Sequence, residues 1–130
     1  MTMFLAWQGS EVRQVEAIGD ALLVRFSAAS ARRGATDHFG HGDEGFLASL
    51  TVVFTTAHAQ GDLSSAIGSL AEGVLLHEGQ SHRHLALPFS LADGVEAELV
   101  FRNGTVLQIQ AASASCALGE DKRFFESMAC

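Results

Sequence analysis

Two runs of alternating apolar and polar residues flank an Asn-Gly dipeptide, and together they constrain the fold more than any other feature of the chain. Residues 95–101 and 106–111 each show the two-residue period of a strand that buries one face. A two-residue turn at Asn103-Gly104 would place Leu99 opposite Gln108 and mix apolar and polar side chains on one face. The pattern therefore excludes this register.

A three-residue connection through Arg102, Asn103 and Gly104, with Gly104 in the left-handed conformation, keeps the two faces separate. In this register Leu99 lies opposite Leu107 on the apolar face. The remaining predicted pairs are Ala97 with Ile109 on the same face, and Glu96 with Gln110 and Glu98 with Gln108 on the polar face. The sequence thus predicts an antiparallel sheet with one buried and one solvated face.

A second hairpin is predicted near the N-terminus, around Gly19-Asp20. A two-residue loop with glycine first is typical of a type II′ turn, which joins antiparallel strands. The predicted pairs are Val15 with Val24, Ala17 with Leu22, and Gln14 with Arg25. Glu16 and Arg25 become diagonal neighbours on the polar face, where a weak interaction is expected.

The middle of the chain predicts further strands. Residues 46–56 form the longest alternation, and the side chains expected to face one way are Phe46, Ala48, Leu50, Val52 and Phe54. Residues 74–77 and 82–89 predict two short strands. In the second of these, Pro88 limits pairing to an edge or a strand end, and the inward side chains are Leu85, Leu87 and Phe89.

Three segments have weaker patterns. Residues 28–45 are poor in apolar side chains and predict a long surface loop. Residues 62–73 have apolar side chains at helical spacing, but Gly68 and several serines weaken that helix, so irregular β structure is favoured. Residues 122–128 predict either a last strand or one helical turn.

Length and composition indicate one domain over residues 1–130, long enough to bury roughly two-thirds of the surface of the unfolded chain. We predict an all-β fold, a single antiparallel β-barrel or curled β-sandwich of about seven or eight strands, with a short helix as the alternative for 62–73. No apolar run approaches the roughly 18 residues of a membrane span, and the N-terminus lacks the features of a secretory signal. We therefore expect a cytoplasmic protein with no membrane partner.

Charge and thiol content narrow the function classes. Fifteen carboxylates against eight lysines and arginines give a formal charge of −7. A phosphate backbone needs a concentrated basic stripe, and the nearest approach is Arg32-Arg33 in the predicted loop, so no nucleic-acid partner is expected. Cys116 and Cys130 form no Cys-x-x-Cys pair and are expected to remain thiols in a cytoplasmic chain.

His82 and His84 alternate along one predicted strand, so both are expected on the same face. This is how β-barrel metalloenzymes such as the cupins collect two imidazoles. The chain departs from the cupin pattern because no glutamate follows His84 by three to five residues and no later Pro-x-Gly motif with a histidine occurs. Since Leu85 and Leu87 occupy the core side, the two histidines are predicted to face solvent or a partner, and no cofactor is expected.

A second cluster of donor residues lies in the predicted loop and comprises Asp37, His38, His41, Asp43 and Glu44. Gly40 and Gly42 indicate a flexible loop, whereas a catalytic metal needs ligands that are held rigidly. If the loop folded over the strand of His82 and His84, then His38 and His41 would complete a site with four ligands.

The C-terminal part of the chain resembles short bacterial all-β proteins of unknown function. The resemblance lies in the order of three segments: His84-Leu85-Ala86-Leu87-Pro88-Phe89 through Gly94, then Leu99-Val100-Phe101-Arg102-Asn103-Gly104, then 120–126. The resemblance covers the C-terminal third of the chain and consists mainly of strand and turn signals. It implies an all-β fold and no particular activity.

These observations favour a small non-catalytic binding protein that contacts a protein partner or a small ligand through a barrel mouth or an exposed sheet face. The candidate binding residues are His82, His84, His38 and His41. One alternative is a metal-dependent enzyme that uses the same four histidines as ligands. Another is a structural subunit that forms a homo-oligomer through its exposed strand edges.

Overall fold

The computed structural model describes residues 2–34, 44–117 and 124–126. This part of the chain forms thirteen strands, all paired antiparallel, and one 3-10 turn, η1 at Leu63–Ser65. The strands are β1 Thr2–Ile18, β2 Ala21–Gly34, β3 Glu44–Leu47, β4 Leu50–Thr55, β5 His58–Gln60, β6 Gly68–His77, β7 Gln80–His82, β8 His84–Leu87, β9 Phe89–Leu91, β10 Val95–Phe101, β11 Val106–Ala111, β12 Ser113–Cys116 and β13 Phe124–Glu126.

Strand pairing follows the order β5-β11-β10-β6-β1-β2-β4-β12-β9. Strand β3 pairs with β2 and β13, while β7 pairs with β6 and β8 with β1. Within the described residues this path has two ends, so strand pairing does not close it into a barrel. The predicted all-β antiparallel class is confirmed, but the predicted number of strands is wrong because several short strands pair with separate parts of the long strands β1, β2 and β6.

Both predicted hairpins form with the predicted registers. In the C-terminal hairpin Leu99 lies opposite Leu107, and Gly104 has φ +94°. The other predicted pairs, Ala97 with Ile109, Glu96 with Gln110 and Glu98 with Gln108, are also present. In the N-terminal hairpin Gly19 has φ +61°, as the first position of a type II′ turn requires. A Glu16 carboxylate oxygen lies 3.2 Å from an Arg25 guanidinium nitrogen, so the predicted diagonal contact is confirmed.

The predicted loop over 28–45 is wrong in its first part, because β2 continues to Gly34 and pairs with the start of β1. Ala29 and Ala31 are buried, and Ser30 between them is half-buried. Alanine has a low intrinsic preference for strands, but pairing with β1 on one side and β3 on the other overrides that preference. Residues 35–43 lie outside the described part of the chain.

The long predicted strand over 46–56 is interrupted at Ala48-Ser49, where Ser49 has φ +60°. This bend shifts the alternation by one residue. As a result Leu47 is buried and Phe46 is 36% exposed, which corrects the predicted inward direction of Phe46. Beyond the bend the prediction is confirmed, since Leu50, Val52 and Phe54 are buried.

The segment over 62–73 begins with η1 and then enters β6 at Gly68. Asp62 caps the turn by accepting the Ser64 amide, at 3.0 Å. Hydrogen bonds from the side chains of Ser64 and Ser65 and from the Ser64 amide lower the pKa of Asp62 below its usual value. The favoured irregular β structure is thus confirmed in outline.

The strand predicted over 74–77 forms as the end of the longer strand β6. The predicted strand over 82–89 is divided between β7, β8 and β9, with Leu85 and Leu87 buried and Phe89 half-buried. Residues 122–128 were predicted to form either a strand or one helical turn. The strand is correct for Phe124–Glu126, because β13 pairs with β3.

One hydrophobic core joins the long strands. Trp7 is fully buried near its centre, with its ring centroid 6.2 Å from that of Phe26. The other fully or nearly fully buried large side chains are Leu5, Val12, Val24, Val52, Phe54, Leu70, Leu75, Leu99, Phe101, Leu107 and Ile109. They come from β1, β2, β4, β6, β10 and β11, so the two hairpins share one apolar interior.

A β-bulge in β1 supports this interior with a buried serine. The pairing with β2 is interrupted between Ala6 and Glu11, where Gly9 has φ +86°. The Ser10 hydroxyl donates to the Ala6 carbonyl at 2.6 Å and accepts from the Ser30 amide at 2.8 Å. Ser10 thus replaces ladder hydrogen bonds that the bulge removes.

Candidate binding face

The solvent side of β6, β10, β11 and β5 forms a continuous face, which we call the outer face. Directly opposite residues in paired strands lie on the same side of a sheet, so the strand registers define its rows. The first row is Leu76, Glu96, Gln110 and His58, the second is Val74, Glu98, Gln108 and Gln60, and the third is Glu72, Val100 and Val106. All of these residues are exposed or half-buried.

The outer face mixes apolar and acidic side chains. Leu76 is 41% exposed and Val106 is 43% exposed, so the face carries two large apolar side chains that contact solvent. Glu98 accepts a hydrogen bond from the Gln108 amide at 3.1 Å, which orders the middle of the face. The face therefore offers exposed apolar area beside carboxylates, of which that of Glu98 is held by a hydrogen bond.

One end of the outer face opens into a groove of about 580 Å³ between two turns. The first turn contains Glu78 and Gly79 and the second contains Asp93 and Gly94, and all four residues have positive φ. The groove is lined by Leu76, His77, Glu78, Gly79, Gly94, Val95, Glu96, Gln110 and Ala111. Its volume lies within the range of about 300–1,000 Å³ that is typical of binding pockets.

A histidine holds the two turns together. His77 Nε2 donates to the Ala92 carbonyl at 2.8 Å, and its side chain is only 14% exposed. The same nitrogen lies 3.8 Å from a Glu78 carboxylate oxygen. This bond ties the end of β6 to the segment before β10, on the two sides of the groove.

The charge of the groove is negative. Glu78 and Glu96 contribute carboxylates, and no lysine or arginine is present among the described residues that line it. The adjoining depression on the outer face is lined in part by Glu96 and Glu98, again with no basic residue among its described lining. This arrangement suits a cationic group with an apolar stem, which would contact the carboxylates and Leu76 together.

The predicted histidine site is only partly described. His82 lies in β7 opposite Leu75, whereas His84 lies in β8 opposite Ala6, so the two residues belong to strands with different partners. His82 is half-buried and His84 is exposed. His38 and His41 lie outside the described residues, so the meeting of the four histidines stays a prediction. Within residues 2–34, 44–117 and 124–126, no group of three or more histidine, cysteine or acidic side chains is arranged to hold a metal ion.

Cys116 is a buried free thiol at the end of β12. Burial raises the pKa of Cys116 to about 12, from an ordinary value of 9.0. A thiol with so high a pKa carries almost no thiolate at neutral pH and is a poor nucleophile. Cys116 therefore has a packing role, while Cys130 lies outside the described part of the chain.

Sequence reasoning predicted the solvated side of β10 and β11, but it did not predict that β6 and β5 extend this face, and it missed the groove. The polar positions Glu96, Glu98 and Gln108 follow from strand alternation alone. His77, Glu78 and Asp93 were missed because the groove depends on two turns that approach each other only in the folded chain. A signal was nevertheless present, since Asp93-Gly94 is a dipeptide that favours turns with positive φ and Gly79 adopts positive φ without steric cost.

Comparison of the chain with protein-family models, with curated protein sequences and with solved structures finds no match. The resemblance of the C-terminal third to short bacterial all-β proteins therefore stays a prediction. Among the described residues, no helix has the length and apolar character needed to cross a membrane.

Proposed function

We propose that this protein is a non-catalytic, cytoplasmic binding protein, built as a curled β-sandwich, which binds a protein partner through the outer face. The partner presents lysine or arginine side chains beside apolar ones. The observation that carries the proposal is the groove beside Leu76, where Glu78 and Glu96 supply carboxylates and the described lining contains no lysine or arginine.

Electrostatic and apolar contributions have separate roles in this proposal. The carboxylates of the outer face and the formal charge of −7 attract a basic surface and orient it during encounter. Burial of Leu76 and Val106, each exposed by about two-fifths of its surface, then supplies affinity at about 25 cal/mol per Å² of apolar area. Binding by this mechanism weakens with salt but does not disappear.

A small ligand is a less suitable occupant because the groove is open along the outer face rather than enclosed. Small-molecule sites usually surround most of the ligand surface. A partner that extends from the groove over the rows of Val74 and Val106 would cover the exposed apolar area as well. The metal-dependent enzyme and the homo-oligomer stay as predictions from the sequence.

Binding of a short peptide that alternates lysine and leucine tests the proposal, with a peptide of glutamate and leucine as the control ligand. We expect saturable binding of the basic peptide, weakened about tenfold in the double variant Glu78→Gln/Glu96→Gln. Glu11→Gln is the matched control, because Glu11 is exposed on β1 and lies outside the groove. Equal affinity for the two peptides, or equal weakening by Glu11→Gln, would contradict the proposal.

A further inference from the structure

A second groove lies where β1, β2 and β4 meet, away from the outer face. Its volume is about 360 Å³, and it is lined by Arg13, Arg25, Phe26, Ser27, Ser49, Leu50 and Thr51. It thus combines two guanidinium groups with three hydroxyl groups. The described lining contains no carboxylate, although the chain as a whole has a formal charge of −7.

A β-bulge places the first arginine in this groove. Val12 pairs with Phe26 and Gln14 pairs with Arg25, so Arg13 is the additional residue of β1. Simple alternation from the buried Val15 would turn Arg13 toward the core, but the bulge makes it exposed. Arg13 therefore lies on the same side of the sheet as Arg25.

The opposite side of the groove is formed by a second backbone irregularity. Ser49 has φ +60° at the bend between β3 and β4, a conformation that is uncommon for residues other than glycine. Such residues concentrate at sites where the backbone holds a ligand. The bulge at Arg13 and the bend at Ser49 thus border the same groove.

The second arginine is oriented by a carboxylate outside the groove. Glu16 contacts one terminal nitrogen of Arg25 at 3.2 Å, and the Arg25 side chain remains 31% exposed. A guanidinium group has several N–H donors in a fixed plane, so this single contact leaves others for a ligand. Glu16 therefore limits the rotation of Arg25 without occupying all of its donors.

We propose that this groove binds a small phosphate monoester. Guanidinium groups bind phosphate through paired, charge-assisted hydrogen bonds, and the hydroxyl groups of Ser49 and Thr51 supply further donors, while the Ser27 hydroxyl donates to the Glu11 carbonyl. The volume of about 360 Å³ leaves room for an organic substituent beside the phosphate. This site is separate from the groove at Glu78 and Glu96, so each proposal can fail without the other.

Titration with glycerol 3-phosphate at constant ionic strength tests this proposal. Binding is monitored by NMR through the side-chain Nε–Hε resonances of the arginines. We expect saturable shifts of the Arg13 and Arg25 resonances. Arg13→Gln and Arg25→Gln should each weaken binding by about tenfold or more. Arg102→Gln, the matched control, makes the same charge change at an exposed arginine outside the groove and should leave affinity unchanged.

Two further comparisons separate the possible sources of the phosphate group. Inorganic phosphate should bind more weakly than glycerol 3-phosphate, and vesicles that contain phosphatidic acid should bind no more strongly than neutral vesicles. Equal binding of inorganic phosphate, preference for the acidic vesicles, or equal loss of affinity in Arg102→Gln would overturn the proposal. Retained circular dichroism spectra of the variants exclude unfolding as the cause of any loss.

Discussion

Gly73 of β6 lies against Trp7 of β1 so closely that a methyl group on Gly73 would overlap the Trp7 Cβ atom and lie 2.8 Å from Trp7 Cγ. Non-bonded carbon atoms do not approach each other this closely, and the same methyl group would lie 3.3 Å from Leu99 Cδ2. Glycine at position 73 thus permits β6 to pass beneath the largest buried side chain of the core. The contact joins the sheet region of β6 and β10 to that of β1.

We expect Gly73→Ala to lower the free energy of unfolding by about 3 kcal/mol, because the core must move to admit one methyl group. Urea unfolding followed by tryptophan fluorescence or circular dichroism measures the loss. Gly104→Ala is the comparison, because a methyl group on Gly104 would meet no atom within 4 Å and its cost comes from the positive φ alone. A cost at Gly73 no larger than the cost at Gly104 would show that Trp7 is not an obstacle.

The buried hydroxyl of Ser10 gives a second test of the fold. Ser10→Ala removes the hydrogen bonds to Ala6 and Ser30 and leaves a buried carbonyl and amide unpaired. We expect a loss of about 2 kcal/mol in the free energy of unfolding. Ser27→Ala is the control, because the Ser27 hydroxyl is exposed and its hydrogen bond to the Glu11 carbonyl is long, at 3.4 Å. Similar effects of the two substitutions would contradict the role assigned to the bulge.

The C-terminal turn depends on two residues for different reasons. Gly104 has positive φ, so Gly104→Ala should cost about 1 kcal/mol. The Asn103 side-chain amide donates to the Ser65 carbonyl at 2.9 Å, and its oxygen accepts from the Thr105 amide at 2.9 Å. Asn103→Ala should therefore also cost about 1 kcal/mol. Asn103→Asp keeps the acceptor, so the midpoint of its thermal unfolding should lie between the midpoints of wild type and Asn103→Ala. A midpoint as low as that of Asn103→Ala would mean that the acceptor contributes nothing to stability.

The pKa of Cys116 predicts how stability depends on pH. The folded pKa of about 12 lies above the ordinary value of 9.0, so the folded protein keeps a proton that the unfolded chain releases. The stabilising contribution is complete below about pH 9 and is lost progressively as pH rises toward 12. In a Cys130→Ser background, Cys116→Ala should remove this part of the alkaline decline. An identical decline in the two proteins would show that other groups cause it.

The burial of Cys116 also predicts that its thiol reacts slowly with a disulfide reagent. In the Cys130→Ser protein, Cys116 should react with a disulfide reagent at pH 8 only as fast as the structure opens, because the native thiol is buried and protonated. Urea should accelerate the reaction toward the rate of a free thiol. Rapid labelling without denaturant would contradict the buried position.

The fold could be predicted from the sequence where the turn residues and the alternation of apolar residues require the same register. Around Asn103 the alternation of apolar residues and the turn glycine both require one register, and that register forms. Ala29 and Ala31 were missed because small side chains give little pattern of their own, and their burial depends on β1 and β3. Phe46 was placed on the wrong face because the bend at Ser49 has no marker residue such as glycine.

The residues of the candidate sites likewise include some that strand alternation predicts and others that only the folded chain brings together. Glu96 and Glu98 could be assigned to a solvated face because they alternate with buried residues in one strand. The groove beside them required the contact between His77 and Ala92, which brings together residues that are distant in sequence. Arg13 could not be assigned to a groove with Arg25, because a bulge reverses the direction that alternation predicts.

The binding role of the outer face is tested most directly by mapping amide chemical shifts during titration with the lysine and leucine peptide. The largest shifts are predicted along the row of Leu76, Glu96 and Gln110 and at Glu78 in the adjoining turn. Smaller shifts should extend to Val106, and Glu78→Gln/Glu96→Gln should reduce all of these shifts severalfold at a peptide concentration near the wild-type Kd. Shifts centred elsewhere, or unchanged shifts in that variant, would contradict the account.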